Sequence, residues 1–124
     1  MNTYLIVFAG GGAGAVSRYL ATSFFGRHAG TSFPWGTMFV NIAGSLIMGL
    51  VIAWLARRSA GDAGLRLFLA TGFLGGFTTF SAFSLDAVAL YERGAFAPAA
   101  IYVLISVIFA ILALFAGLWV GRQF

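Results

Sequence analysis

Four long apolar stretches constrain this chain before any single residue does. A helix that crosses a bilayer core of ~30 Å needs ~20 mainly apolar residues. The sequence supplies such runs over roughly Tyr4 to Phe25, Trp35 to Ala56, Leu65 to Tyr91 and Pro98 to Val120. Backbone inside lipid must satisfy its own hydrogen bonds, and a helix does so within one segment. The expected fold is therefore an all-α integral membrane protein with four transmembrane helices. Of 124 residues 61% are hydrophobic and 8% charged, against roughly a quarter charged in a soluble domain. Residues 1–124 thus read as one membrane domain.

The net charge of +4 does not point to nucleic acid. Arg27, Arg57, Arg58, Arg66, Arg93 and Arg122 all fall in or beside the joints and the tail, where they flank the membrane instead of forming a phosphate-binding stripe. Without cysteine there is no disulfide, thiolate nucleophile or zinc cluster. His28 sits in a joint and reads as a solvated surface residue. Ala13-Gly14-Ala15 resembles a signal cleavage site, but no basic residue precedes it and the apolar run from Tyr4 to Ala9 is short for such a signal, so the stretch is kept as the first span.

Four spans place both termini on one face. Arg57, Arg58, Arg66 and Arg122 then share that side, and Arg27 and Arg93 lie on the other. This is a weak orientation signal, compatible with a cytoplasmic N-terminus or with insertion both ways. The joints, Gly26 to Pro34, Arg57 to Gly64 and Glu92 to Ala97, are short, so consecutive spans are antiparallel neighbours with no room for a lid or an extramembrane enzyme domain. Pro98 suits the first turn of the fourth helix.

The run Gly10 to Ala15 fits a loose dinucleotide-binding fingerprint, yet it lacks the preceding strand and the acid ~20 residues on; the first acid is Asp62. Close packing explains it better. Gly10 and Gly14, Gly72 and Gly76, and Gly117 and Gly121 each have the small-xxx-small spacing that lets membrane helices approach. The third span is different, because Gly75-Gly76-Phe77-Thr78-Thr79 falls near its centre. Glycine lowers helix stability by ~1 kcal/mol relative to alanine. Two outcomes stay open: unwound backbone whose carbonyls hold a small hard cation, or a kinked helix whose threonines bond back to their own chain.

Polar residues inside the spans are the remaining signal. Thr37, Asn41 and Ser45 recur every four residues on the second helix, and Tyr102 and Ser106 do so on the fourth. Each group can donate to a dehydrated anion or bond a neighbouring helix. Phe80 and Phe83 share a helix face after the break, and aromatic ring edges carry positive potential. Arg18 and Asp86 are the ionisable residues within the spans and demand pairing, hydration or a position near an end. Asp86 is close enough to the end of its span to reach water. Arg18 either draws anions to a pore mouth or braces a helix.

The residues Gly10-Gly11-Gly12-Ala13-Gly14-Ala15-Val16-Ser17-Arg18-Tyr19, then Gly36-Thr37, Val40-Asn41 and Gly44-Ser45, then Thr71 through Ser84, strongly resemble the Fluc fluoride channels. The motifs follow the family's order over three spans, and the length and four-span plan match over the whole chain. The resemblance implies a homodimer of oppositely inserted subunits in the bacterial plasma or inner membrane. It also implies passive, fluoride-selective efflux through two pores, which lowers cytoplasmic fluoride. A structural sodium ion, not transported, is implied at the two-fold centre, held by backbone carbonyls of Gly75 and Thr78 from each subunit. The implied pore residues are Asn41, Phe80, Phe83, Tyr102 and Ser106, with Thr37 and Arg18. Some relatives continue the fourth-helix track with a hydroxyl where this chain has Ala110, and Asp86 stands where glutamate is more usual.

Two other classes compete with a channel. A small proton-coupled exporter also has four spans and mixed orientation, but it usually needs a deeply buried carboxylate, and no glutamate lies in the first two spans. A non-conducting membrane subunit held by its glycine faces is the other. Three acids and one joint histidine provide no catalytic constellation, so an enzyme is not expected.

Overall fold

The computed structural model describes residues 2–58 and 62–124. Among them every regular element is helical. Helix α1 (Thr3–Ala29) starts with the Asn2 side chain accepting the Tyr4 N–H at 2.7 Å. Helix α2 (Trp35–Leu55) follows a short joint. The third span runs over Ala63–Glu92 and is composite. It consists of α3 (Ala63–Arg66), a π-helical stretch (Leu67–Leu74), a single turn α4 (Gly75–Phe77), and α5 (Phe80–Glu92). Helix α6 (Phe96–Gly121) completes the four spans, with Pro98 in its first turn. Gly30 and Gly94, at φ of 81° and 79°, make the tight turns after α1 and α5 that favour glycine. Of the expected joint Arg57 to Gly64, residues 59–61 lie outside the described residues.

Glycines pair the helices. On α1, a Cβ at Gly10 or Gly14 would strike the backbone of Phe68 or Phe73, and one at Gly76 would strike the Gly11 carbonyl. The third span therefore lies directly on α1, with the small-residue spacing on both partners. Likewise Gly49 and Gly117 face each other and Gly121 meets Ala53, so α2 and α6 run parallel in close contact.

Few side chains are fully covered. Tyr102, Val40 and Leu74 are the largest of these, while the outer face of α6, through Ile108, Leu112, Phe115 and Trp119, is half or more exposed. This pattern suits a protein whose outward surface meets lipid. At one membrane face the Arg57 side chain donates to the Arg122 carbonyl, and Arg58 packs over the Trp54 ring 4.5 Å from its centroid. At the other, Arg93 donates to the Ser32 carbonyl at 2.6 Å.

The break in the third span is narrower than its glycines suggest. Gly75 has helical backbone (φ −63°, ψ −37°), and Gly75–Phe77 form a helical turn. Only Thr78 (ψ 157°) and Thr79 (ψ 122°) are extended. The expected rupture over Gly75 to Thr79 is thus confined to the two threonines. Gly72 and Gly76 instead serve contact with α1, because glycine's helix cost of ~1 kcal/mol is small beside helix–helix packing.

Candidate functional site

An asparagine on another helix fixes the unwound residues. The Thr79 N–H donates to Asn41 Oδ1 at 2.7 Å, and Asn41 Nδ2 donates to the Thr79 carbonyl at 3.0 Å. The amide of Asn41 thus stands in for a neighbouring backbone strand, satisfying both groups that the break exposes. Thr79 then caps α5, its Oγ1 accepting the Ala82 N–H at 3.0 Å. The Thr78 hydroxyl donates back to the Leu74 carbonyl at 2.9 Å. The backbone is therefore unwound at the two threonines, and one of them, Thr78, is bonded back to its own chain.

These diversions have a consequence for the carbonyls upstream. In a continuous helix the Thr79 N–H would bond the Gly75 carbonyl, and the Ala82 N–H would bond that of Thr78. Both donors are spent elsewhere, on Asn41 and on the Thr79 hydroxyl. Among the described residues the Gly75 and Thr78 carbonyls thus lose the donors a continuous helix would give them, leaving uncharged oxygen acceptors of the kind that suits a hard cation of low charge. Among the described residues no cluster of three or more His, Cys, Asp or Glu side chains offers a competing metal site.

Beside the break lies a cavity of about 320 Å³ between α2, α5 and α6. Asn41, Gly44, Ser45 and Met48 line it from α2, Thr78, Thr79, Phe80 and Phe83 from the broken span, and Ser106, Val107, Ala110 and Leu114 from α6. Two of these groups have hydrogen to give. One N–H of Asn41 is used by Thr79 and the second is left over. The Ser106 hydroxyl is 4% exposed and, among the described residues, without a partner. The Phe80 and Phe83 rings stand 5.5 Å apart at 45°. Phe83 is buried, but Phe80 is 77% exposed, so its wall of the cavity faces out of the subunit.

A second cavity, of about 220 Å³, opens at the joint between α1 and α2. Thr22, Thr37 and Asp86 line it together with the backbone around Gly30 and Gly36. Tyr102 separates the two spaces. Its ring packs 5.2 Å from Phe83 and 5.6 Å from Phe33, and its hydroxyl donates to Asp86 Oδ2 at 3.1 Å.

With this geometry in place the comparisons are specific. Residues 5–118 match the family described as CrcB-like protein, Camphor Resistance (CrcB). The chain belongs to the CrcB-like family. Relatives named fluoride-specific ion channel FluC include one from Rhodopseudomonas palustris (strain BisB5), 57% identical over 116 residues, with 94% of each chain covered. One from Mesorhizobium japonicum is 57% identical over 123 residues, covering 99% of this chain and 98% of its own. One from Agrobacterium fabrum (strain C58) is 54% identical over the same length, with the same coverage. Four helices long and apolar enough to cross a bilayer make this CrcB-like chain a multi-pass membrane protein.

In this CrcB-like fold the residues singled out by sequence separate into three groups. Asn41, Phe80, Phe83 and Ser106 share the first cavity, with Thr78 at its edge. Thr37 lines the second, and Tyr102 forms the wall between. Arg18 lines neither cavity and is half-buried on α1, one turn before Thr22, whose hydroxyl bonds the Arg18 carbonyl at 2.9 Å. Gly75 is exposed on the outer face of the third span. Sequence reasoning left Thr79 without a role, although it joins α2 to the break and caps α5. A threonine immediately before an apolar helical run is a capping signal that identifies it.

Proposed function

We propose that this chain is a fluoride-selective ion channel that carries fluoride passively out of the cell. The observation that carries the reading is the first cavity. It gathers an unspent amide N–H, a buried hydroxyl without a partner and two phenylalanine rings at a helix break. The relatives named as fluoride-specific channels, matched along nearly their whole length, agree with it.

Fluoride is a small anion, and leaving water requires replacement donors. Asn41 Nδ2 and the Ser106 hydroxyl supply them without adding a positive charge that would trap the ion. The ring edges of Phe80 and Phe83 contribute weaker positive potential. Tyr102 and Thr37 extend the polar route towards the second cavity, and Arg18, one turn from Thr22 of that cavity, either draws anions towards it or braces α1. Transport is electrodiffusion, with no covalent step and no energy input. Replacing either ring by an aliphatic side chain removes the edge but keeps the bulk. Phe80→Ile and Phe83→Ile are expected to slow fluoride release from liposomes severalfold while the protein still purifies as folded dimers. Full flux in both variants would move the path elsewhere.

The assembly we propose is a homodimer of oppositely inserted subunits in the bacterial plasma or inner membrane. Phe80 is 77% exposed, Gly75 is exposed as well, and among the described residues the Thr79 N–H that would bond the Gly75 carbonyl is given to Asn41. A carbonyl without a donor at membrane depth costs several kcal/mol, so this part of the break calls for a protein partner or a polar site. The weak arginine bias, four at one end against two at the other, suits insertion both ways. The Gly75 and Thr78 carbonyls of two subunits would hold a structural sodium ion, which when bound neutralises these acceptors and ties the subunits together. Removing sodium from both sides is expected to abolish wild-type flux. Undiminished flux in verified sodium-free solution would contradict the sodium assignment.

A further inference from the structure

The second helix carries one cavity hydroxyl that the proposed path has not used. Thr37, Asn41 and Ser45 are spaced by four on α2, as Tyr102, Ser106 and Ala110 are on α6. Because the two helices run parallel in contact, with Gly49 against Gly117 and Ala53 against Gly121, steps of one turn climb together on both. Thr37 lines the second cavity with Asp86, the acceptor of the Tyr102 hydroxyl, and Asn41 and Ser106 line the first cavity one turn on. The next turn brings Ser45 and Ala110, which also share that cavity. In that stretch of the cavity α6 offers only the Ala110 methyl group, and the hydroxyl that α2 presents there is that of Ser45.

The Ser45 hydroxyl donates to the Asn41 carbonyl at 2.7 Å. That carbonyl already receives the Ser45 backbone N–H through the helix's own i to i−4 pattern. The side-chain bond is therefore a second one to an acceptor that is satisfied without it. Rotation about χ1 turns the O–H into the cavity without leaving the carbonyl bare. The Thr78 hydroxyl, which also lines the cavity, is likewise a second donor to a carbonyl, that of Leu74, which already receives the Thr78 N–H; it belongs to the break and not to the stripe that faces Ala110 from α2.

Resting on the channel reading above, we infer that Ser45 is a third anion donor of the path and replaces the missing hydroxyl at Ala110. The permeating ion passes from Asn41 and Ser106 to Ser45, crossing from α6 to α2 where the α6 track ends. Met48 and Leu114 lie one turn further along the same cavity and carry no donor, so Ser45 is the last hydroxyl on that side.

The test compares fluoride release from liposomes for the wild type, Ser45→Ala, Ala110→Ser and the double variant. Alanine keeps the helix and removes only the hydroxyl, so Ser45→Ala should purify and melt like the wild type. It is expected to conduct severalfold more slowly. Adding Ala110→Ser should restore most of the lost rate, because it returns a hydroxyl to the same cavity from the facing helix. A merely structural role for Ser45 predicts no such rescue. If the wild type conducts and Ser45→Ala conducts equally fast, the inference falls while the channel reading stands. A slow Ser45→Ala that Ala110→Ser does not speed up also overturns it. A wild type that releases no fluoride overturns the channel reading together with this inference.

Discussion

Replacing Asn41 by alanine is expected to abolish fluoride efflux and to lower the thermal stability of the purified protein. The side chain holds both polar backbone groups of Thr79, at 2.7 and 3.0 Å, and presents its remaining N–H to the cavity. Its removal leaves a partly buried N–H and carbonyl unpaired, at about 1–3 kcal/mol each. It also deletes a donor from the path, which alone should slow transport about tenfold or more if the donor contributes 1.4 kcal/mol to the barrier. Asn41→Asp should be no better: the carboxylate still accepts from the Thr79 N–H, but its second oxygen faces the Thr79 carbonyl and cannot donate to an anion, so flux should vanish and stability should fall as well. An Asn41→Ala protein that conducts like the wild type would refute the donor role, and one that also melts like the wild type would refute the bracing role.

The second large effect is expected on assembly. Gly14→Ala places a methyl group against the Phe73 carbonyl and the Phe77 N–H. Both are backbone atoms of the third span, which cannot move aside without parting the helices. Overpacking of this kind costs about 1–3 kcal/mol where side chains can adjust, and here the obstacle is main chain. The variant should be recovered as aggregate, or melt well below the wild type, in size-exclusion and thermal-unfolding measurements. Gly12→Ala is the matched control. No atom lies within 4 Å of a Cβ there, and alanine is the better helix former. It should match or exceed wild-type stability. Equal behaviour of the two variants would mean that the glycine run does not set the α1 contact.

The contrast between Gly12 and Gly14 also marks what a sequence conveys about this fold. Four spans are legible because length and apolarity alone decide them in a bilayer. The pairing of Gly10 and Gly14 with Gly72 and Gly76 is legible as spacing, though the spacing does not reveal which helix receives it. The position of the break was less accessible. Local propensity points to Gly75 and Gly76, but the backbone unwinds at Thr78 and Thr79, where Asn41 captures the Thr79 groups from 38 residues away. A long-range hydrogen bond decides it, and no window of sequence contains both partners. The π-helical stretch over Leu67–Leu74 gives no compositional sign. Asn41, Phe80, Phe83 and Ser106 were legible as site candidates through periodicity and resemblance, and they converge on one cavity. Thr37 and Tyr102 carry the same periodicity but lie at or beyond the wall of that cavity. Period alone does not separate the turns of a helix that line different spaces. Ser45 shared the stripe with Asn41 from the outset, and only the level of Ala110 across the cavity distinguishes it.

The central claim is tested most directly by fluoride release from liposomes carrying the purified wild-type protein, with potassium permeability supplied by an ionophore to carry the balancing charge. The account predicts rapid fluoride release in sodium-containing solution, chloride retained under the same conditions, and a rate independent of any imposed proton gradient. No fluoride release above that of protein-free liposomes, or release driven by a proton gradient as in an exporter, would contradict it.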